Sequence, residues 1–181
     1  DKSLLKHSTI YINLEPCAHF GKTPPCVDLI LKHKIPRVVI ASQDPDKRVA
    51  GKGIEKLRES KCEVKVGMLR VEADFLNRRF YTFHQKQRPY IILKWAQTKD
   101  QFISPKIKEK GSIFWITGKL AQQRAHQWRS EENAILVGVQ TVIDDNPSLT
   151  TRHWTGNHPS RFVIDPNNRI PKDSKIMSDG F

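Results

Sequence analysis

Residues 9–42 read TIYINLEPCAHFGKTPPCVDLILKHKIPRVVIAS. The first six, TIYINL, alternate and are β-branched, which predicts a strand over 9–14. PPCVDLILKHK (24–34) opens with prolines, which suit the first turn of a helix, and sets Val27, Ile30 and Leu31 at helical spacing. RVVIAS (37–42) is a short apolar run of buried-strand type. Strand, helix and strand in succession form a β–α–β unit, and repeated units of this kind imply an α/β fold with parallel sheet.

The pattern continues in both directions. QDPDKRVAGKG (43–53) reads as a loop by its proline and glycines, IEKLRES (54–60) as a helix with Ile54 and Leu57 inward, and CEVKVG (62–67) as a strand. Cys62, Val64 and Val66 share one face of that strand, and Cys62 is read as core. VEADFLNRRFYTFHQ (71–85) has the spacing of one amphipathic helix, with Phe75, Leu76, Phe80 and Phe83 as core contacts. HQKQRP (84–89) is polar and ends in proline, so a boundary is placed there, giving domains at 1–86 and 87–181. YIILKWA (90–96) then predicts a strand, FWITGKLAQQRAHQWRS (114–130) a helix capped by Thr117, and AILVG (134–138) a strand. VQTVIDDNPSLTTR (139–152) runs from a helical turn into a loop, and RFVIDP (161–166) predicts a further strand.

Composition narrows the function classes. Hydrophobic residues make up 38% and charged residues 28%, as in folded proteins with a core. No stretch of about 18 apolar residues exists to span a membrane, and no basic-then-apolar leader opens the chain. Only three cysteines are present, Cys17, Cys26 and Cys62, which is too sparse for a disulfide framework and points to a reducing, cytoplasmic setting. The 31 Lys+Arg against 19 Asp+Glu give a formal charge of +12, suited to phosphorylated metabolites or other anions. The basic residues are scattered, with no run of five like charges, so no nucleic-acid groove is read from them.

Cys17 follows a strand and Cys26 enters a helix. Two thiolates so placed can serve a zinc ion, which takes four ligands and keeps one for water in catalytic sites. Two buried cysteines acting as small hydrophobes remain the alternative on spacing alone. Asp44 falls at the C-terminal end of a predicted strand, where ligands of open α/β sheets bind. Ala50-Gly51-Lys52-Gly53 allows either a close approach of backbone to ligand or a simple turn.

The stretch NLEPCAHFGKTPPC (13–26) resembles the second half of the zinc motif in the bifunctional deaminase–reductases of riboflavin biosynthesis. RVVIASQDPDKRVAGKGIEKLRESKCEVKVG (37–67) resembles the remainder of their deaminase domain. LKWAQTKD (93–100), WITG (115–118) and AILVGVQTVIDDNPSLTTR (134–152) resemble the start of their reductase domain. The resemblance covers nearly the whole chain. It implies a cytidine-deaminase-like zinc domain followed by a dihydrofolate-reductase-like domain, with Zn2+ and NADPH as cofactors. It further implies a phosphorylated pyrimidine as small-molecule substrate, a homo-oligomer, and neither nucleic acid nor membrane as partner.

By the same resemblance Cys17 and Cys26 are zinc ligands, and His19, Lys22 and Asp44 face the deaminase substrate. The family reads D-P-N where this chain has Asp44-Pro45-Asp46, so an amide contact there is in question. Ala96, Trp115, Thr141 and Asp145 match cofactor positions; Arg129, Leu149 and Arg152 match positions on the reductase substrate. Asp144-Asp145 is not a metal pair in this family, and Ile113 stands where many relatives have serine. The family's remaining zinc ligand and its catalytic glutamate lie in an upstream H-A-E, whereas none of the seven histidines here has glutamate two residues on. The chain is therefore expected to be part of a longer protein, with both the deaminase start and the reductase end outside it. Two other classes stand beside this reading: a nucleic-acid or nucleoside deaminase, against which the second domain argues, and an inactive fragment serving as a binding module.

Overall fold

A computed structural model of the chain describes residues 2–105, 107 and 114–180. The chain forms two compact units, Asp1–Ile92 and Leu93–Phe181. The expectation attached to Ile113 lies outside the described residues.

In the first unit a short 3-10 helix (Lys2–His7) leads into β1 (Thr9–Leu14). There follow α1 (Cys26–Lys32), β2 (Arg37–Ser42), α2 (Lys52–Glu59), β3 (Glu63–Val66), α3 (Arg70–Leu76) and α4 (Arg78–Lys86). The strands pair in the order β1–β2–β3, all parallel, with Ile12 opposite Ile40 and Val38 opposite Val64. Because side chains alternate along a strand, Ile10, Ile12, Val38, Ile40 and Val64 come to one face. There they pack with Val27 and Ile30 of α1, Ile54 and Leu57 of α2, and Cys62. Leu57 is fully buried, which stabilises the unit by about 1.5–3 kcal/mol relative to an exposed leucine. α3 lies on the opposite face, with Ala73 and Val39 buried.

The structure corrects several expectations in this unit. The predicted helix over 71–85 is two helices, broken at Asn77, whose backbone (φ −92°, ψ 14°) leaves helical values. The break shifts the phase of the apolar stripe. Phe75, Leu76 and Phe83, expected as core contacts, are exposed. Phe80 is half-buried against the rings of Tyr81 and His84. Val66, grouped with Cys62 and Val64, is also exposed, because β3 is an edge strand among the described residues. Lys52 and Gly53, read as loop, already belong to α2.

The second unit contains α5 (Lys119–Glu131), β4 (Ala134–Gly138), α6 (Val139–Asp145), β5 (Ser160–Ile164) and α7 (Lys175–Ser178). β4 and β5 pair in parallel, Ala134 opposite Ser160 and Gly138 opposite Ile164. Val139, Val142 and Leu149 are buried. Arg161 grips the Asp179 carboxylate with two parallel hydrogen bonds of 2.8 Å, tying the end of the unit to β5. The predicted strand at 90–96 does not form: this segment finds no partner strand among the described residues, and Ile91, Leu93 and Trp95 are exposed. Thr117 does not cap α5 either. Gly118 occupies the cap position in extended conformation, and the Thr117 carbonyl instead accepts from Gln122 Nε2 at 3.1 Å.

Candidate functional site

Both cysteines of the PC…PPC stretch lie at the C-terminal side of β1. Cys17 sits in the turn after the strand and Cys26 is the first residue of α1. The turn closes on itself: Cys26 N donates to Cys17 Sγ at 3.4 Å, and Val27 N to the Cys17 carbonyl at 3.2 Å. The Cys26 thiol is pushed above its ordinary value by desolvation of the sulfur, although the residue as a whole is exposed. Its hydrogen bond with Cys17 and that neighbour's charge add to the shift. Two adjacent sulfurs fit the soft part of a zinc site, since a divalent cation relieves the repulsion of two thiolates. Among the described residues no third histidine, cysteine or carboxylate joins them. His19 and Lys22 are exposed on the loop between the cysteines.

Glu15 ties this turn to the next one. Its side chain is 4% exposed and accepts from four backbone amides: Asp44 at 3.2 Å, Gly51 at 3.0 Å, Gly53 at 3.0 Å and Ile54 at 3.3 Å. The last two amides are at the N-terminal end of α2, where unpaired donors favour a carboxylate. Close approach demands glycine at 53, because a Cβ there would stand 2.0 Å from the Pro16 carbonyl oxygen. The turn bearing Cys17 and the turn bearing Asp44 are thus held together by one carboxylate and one glycine. Asp44 itself is buried, and burial is the main reason its carboxyl is pushed up; its Oδ1 accepts from Asp46 N at 2.8 Å. Asp46 is engaged in turn by the Arg48 guanidinium, which holds its carboxyl well below the ordinary range.

In the second unit three of the expected residues converge. Arg129, near the end of α5, donates from Nη1 to the Thr150 carbonyl at 3.3 Å. Arg152 donates from Nη1 to Thr150 Oγ1 at 3.3 Å, and Leu149 is 4% exposed directly before them in the loop. Arg129 is pushed below its ordinary value, first by burial and then by the charge of Arg152. Neither arginine pairs with a carboxylate among the described residues. Thr141 and Asp145 lie one helical turn apart on α6, Thr141 exposed and Asp145 half-buried, beyond the C-terminal end of β4. Trp115, 60% exposed, and Ala96, half-buried, lie in irregular segments outside this cluster.

Two participants escaped the sequence reading. Glu15 is flanked by the motif residues Leu14 and Pro16, and a carboxylate ending a buried strand is the only sign it gives. His126 is 5% exposed on α5, and its Nδ1 accepts the Arg152 amide at 3.0 Å. Its position three residues before Arg129 was the available signal.

Residues 89–180, just over half of the chain, match the family described as the RibD C-terminal domain. The chain belongs to the RibD C-terminal domain family. The riboflavin biosynthesis protein RibD of Aquifex aeolicus is 47% identical over 174 residues, covering 96% of this chain and 48% of that protein. RibD of Bacillus amyloliquefaciens is 44% identical over 179 residues, 98% of this chain and 47% of that protein. A crystal structure from Thermotoga maritima superposes with a TM-score of 0.77 at 43% identity, covering 85% of this chain and 43% of that one. It is described as a diaminohydroxyphosphoribosylaminopyrimidine deaminase/5-amino-6-(5-phosphoribosylamino)uracil reductase. Acinetobacter baumannii RibD, form 1, gives a TM-score of 0.79 at 36% identity over 91% of this chain and 47% of that one. The chain spans about half the length of the curated RibD relatives it matches. The resemblance to the riboflavin-biosynthesis family and the α/β class both stand. No helix among the described residues is long and apolar enough to cross a membrane.

Proposed function

We propose that residues 87–181, which include the second unit, are the N-terminal part of a reductase that converts the ribosyl group of 5-amino-6-(5-phosphoribosylamino)uracil to ribityl. The observation that carries this is the pair Arg129 and Arg152, two cations meeting at Thr150 with no carboxylate among the described residues to offset them. Guanidinium groups so placed suit a phosphate, which accepts parallel hydrogen bonds and relieves their repulsion. The RibD relatives support the assignment through their family and names. When bound, NADPH supplies the hydride. Thr141 and Asp145 fit its binding, since they present a hydroxyl and a carboxylate at the C-terminal end of a parallel strand, where nucleotides bind in α/β folds. Trp115 offers an exposed ring for stacking, and Ala96 a small side chain for close contact.

Residues 1–86, most of the first unit, are read as the C-terminal part of the zinc deaminase that acts on the preceding diaminopyrimidine. Cys17 and Cys26 would hold two of the four zinc positions, and bound zinc supplies an activated water for hydrolytic deamination. Lys22 is a compact cation suited to the substrate phosphate, with His19 beside it on the same loop. Asp44, its carboxyl pushed up mainly by burial, can hydrogen-bond at the pyrimidine edge.

The test is Arg152→Lys in the full-length protein. A charged hydrogen bond is worth roughly 1.5–3 kcal/mol, so kcat/KM for the reduction should fall about ten- to a hundredfold through KM. NADPH affinity and ammonia release should be unchanged. Weakened NADPH binding with an unchanged substrate KM would reverse the roles assigned to this loop.

A further inference from the structure

We propose that His126 is a positioning residue for the arginine pair, accepting the Arg152 amide with a neutral ring so that both guanidinium charges stay available to the substrate phosphate. The inference rests on the reading of the second unit given above.

The Thr150–Arg152 segment is anchored at every residue. Thr150 O accepts from Arg129, Thr151 N donates to His158 Nδ1 at 3.0 Å, and Arg152 N donates to His126 Nδ1 at 3.0 Å. Thr151 Oγ1 adds a bond of 3.1 Å to the Asn157 carbonyl. Two consecutive amides are therefore taken by two imidazoles. An amide can only donate, so Nδ1 of His126 must be the bare nitrogen and the neutral ring carries its proton on Nε2. The Arg129 guanidinium lies 3.4 Å from both ring nitrogens, and the His153 ring stands edge-on at 4.7 Å and 82°. His126 thus touches both halves of the site at once: the side chain of one arginine and the main chain of the other.

The chemistry explains why an imidazole stands here. A carboxylate could accept the same amide, but it would also pair with Arg129 and Arg152 and offset the charge that a phosphate needs. An aliphatic residue would fill the space and leave the amide without an acceptor in a partly buried place. A neutral imidazole accepts without adding negative charge. The neighbouring cations keep it neutral: burial, then Arg129, Arg152 and His153 oppose protonation, and only the Thr150 carbonyl favours it. A histidine that merely filled the core would need none of these directions.

The experiment compares His126→Asn, His126→Asp and His126→Leu in the full-length protein, with 5-amino-6-(5-phosphoribosylamino)uracil and NADPH as substrates and inorganic phosphate as competing anion. Asn and Asp have the same shape and both present an oxygen where Nδ1 stands; only the charge differs. His126→Asn should keep KM for the pyrimidine within about threefold of the parent, while His126→Asp and His126→Leu raise it roughly tenfold or more and weaken phosphate inhibition in parallel. KM for NADPH and kcat at saturation should stay within about twofold throughout. Equal KM values for Asn and Asp, or losses in kcat alone, would overturn the proposal. If His126→Leu fails to fold, the Asn–Asp pair decides. Should Arg152→Lys raise KM while none of the His126 variants does, this inference falls and the reductase reading survives. Should Arg152→Lys leave KM unchanged, both fall.

Discussion

Glu15→Gln tests the junction of the two turns in the first unit. The carboxylate accepts from four amides, two on each oxygen: Asp44 and Gly51 on Oε2, Gly53 and Ile54 on Oε1. Glutamine keeps one carbonyl oxygen and turns an NH2 group toward the other two donors. Two charge-assisted bonds are lost, and two buried amides face another donor. Hydrogen bonds to a charged group contribute about 1.5–3 kcal/mol each, so two lost bonds sum to roughly 3–6 kcal/mol before the turn relaxes; local opening to water should reduce this to about 3 kcal/mol. With a urea slope of about 1–3 kcal/mol per molar, the midpoint should drop by roughly 1–3 M. Two probes separate the units. All four tryptophans, Trp95, Trp115, Trp128 and Trp154, lie in the second unit, so indole fluorescence follows that unit and circular dichroism follows both. The substitution should create an early transition in dichroism and leave the indole transition in place. A midpoint within about 0.3 M of the parent would refute the role given to the four amides. An equal shift in the indole signal would refute its confinement to the first unit.

Gly53→Ala should destabilise the first unit by about 1–3 kcal/mol in the same urea assay, because the added methyl meets the Pro16 carbonyl, whereas Gly21→Ala, with open space around it, should be nearly neutral. Cys17→Ala in the full-length protein should lower zinc content measured by elemental analysis; undiminished zinc would refute the ligand role of Cys17. His126 is lowered from 6.5 to about 4 in the folded chain. The unfolded chain therefore binds the extra proton first as pH falls, so stability of the second unit is fully present above about 6.5 and lost down to about 4. Urea midpoints across that window should rise with pH in the parent and flatten in His126→Asn; an equally steep Asn variant would refute the assignment.

The β–α–β–α–β order of the first unit was legible because each element carried its own period. Ile10 and Ile12 alternate, Val27 and Ile30 fall one turn apart, and the pairs Val38–Ile40 and Ile54–Leu57 repeat the two patterns. What escaped was set by residues far apart in the chain. YIILKWA has the composition of a strand, yet a strand requires a neighbour to take its amides, and no property of 90–96 reveals whether one exists. The break at Asn77 was hidden because Asn disfavours helix only mildly and the apolar spacing runs through it. Glu15 finds its partners 29 to 39 residues downstream, and they are backbone amides, which have no letter in a sequence. The arginine pair was visible through motif resemblance, but its dependence on His126 needed the loop at 150–152 to fold back over α5.

The strand order of the first unit also bears on how the chain is made. Spatial neighbours in β1–β2–β3 are neighbours in sequence, each reached through one short helix. Contacts of this kind close small loops, so β2 can dock on β1 as soon as α1 is available and β3 can follow through α2. Among the described residues no strand of this sheet has to wait for a partner later than Val66. On a ribosome, which delivers the N-terminal part first, the turn holding Cys17 and Cys26 can take shape while the arginine-bearing unit is still being translated. Its two sulfurs can then be brought together before synthesis is complete.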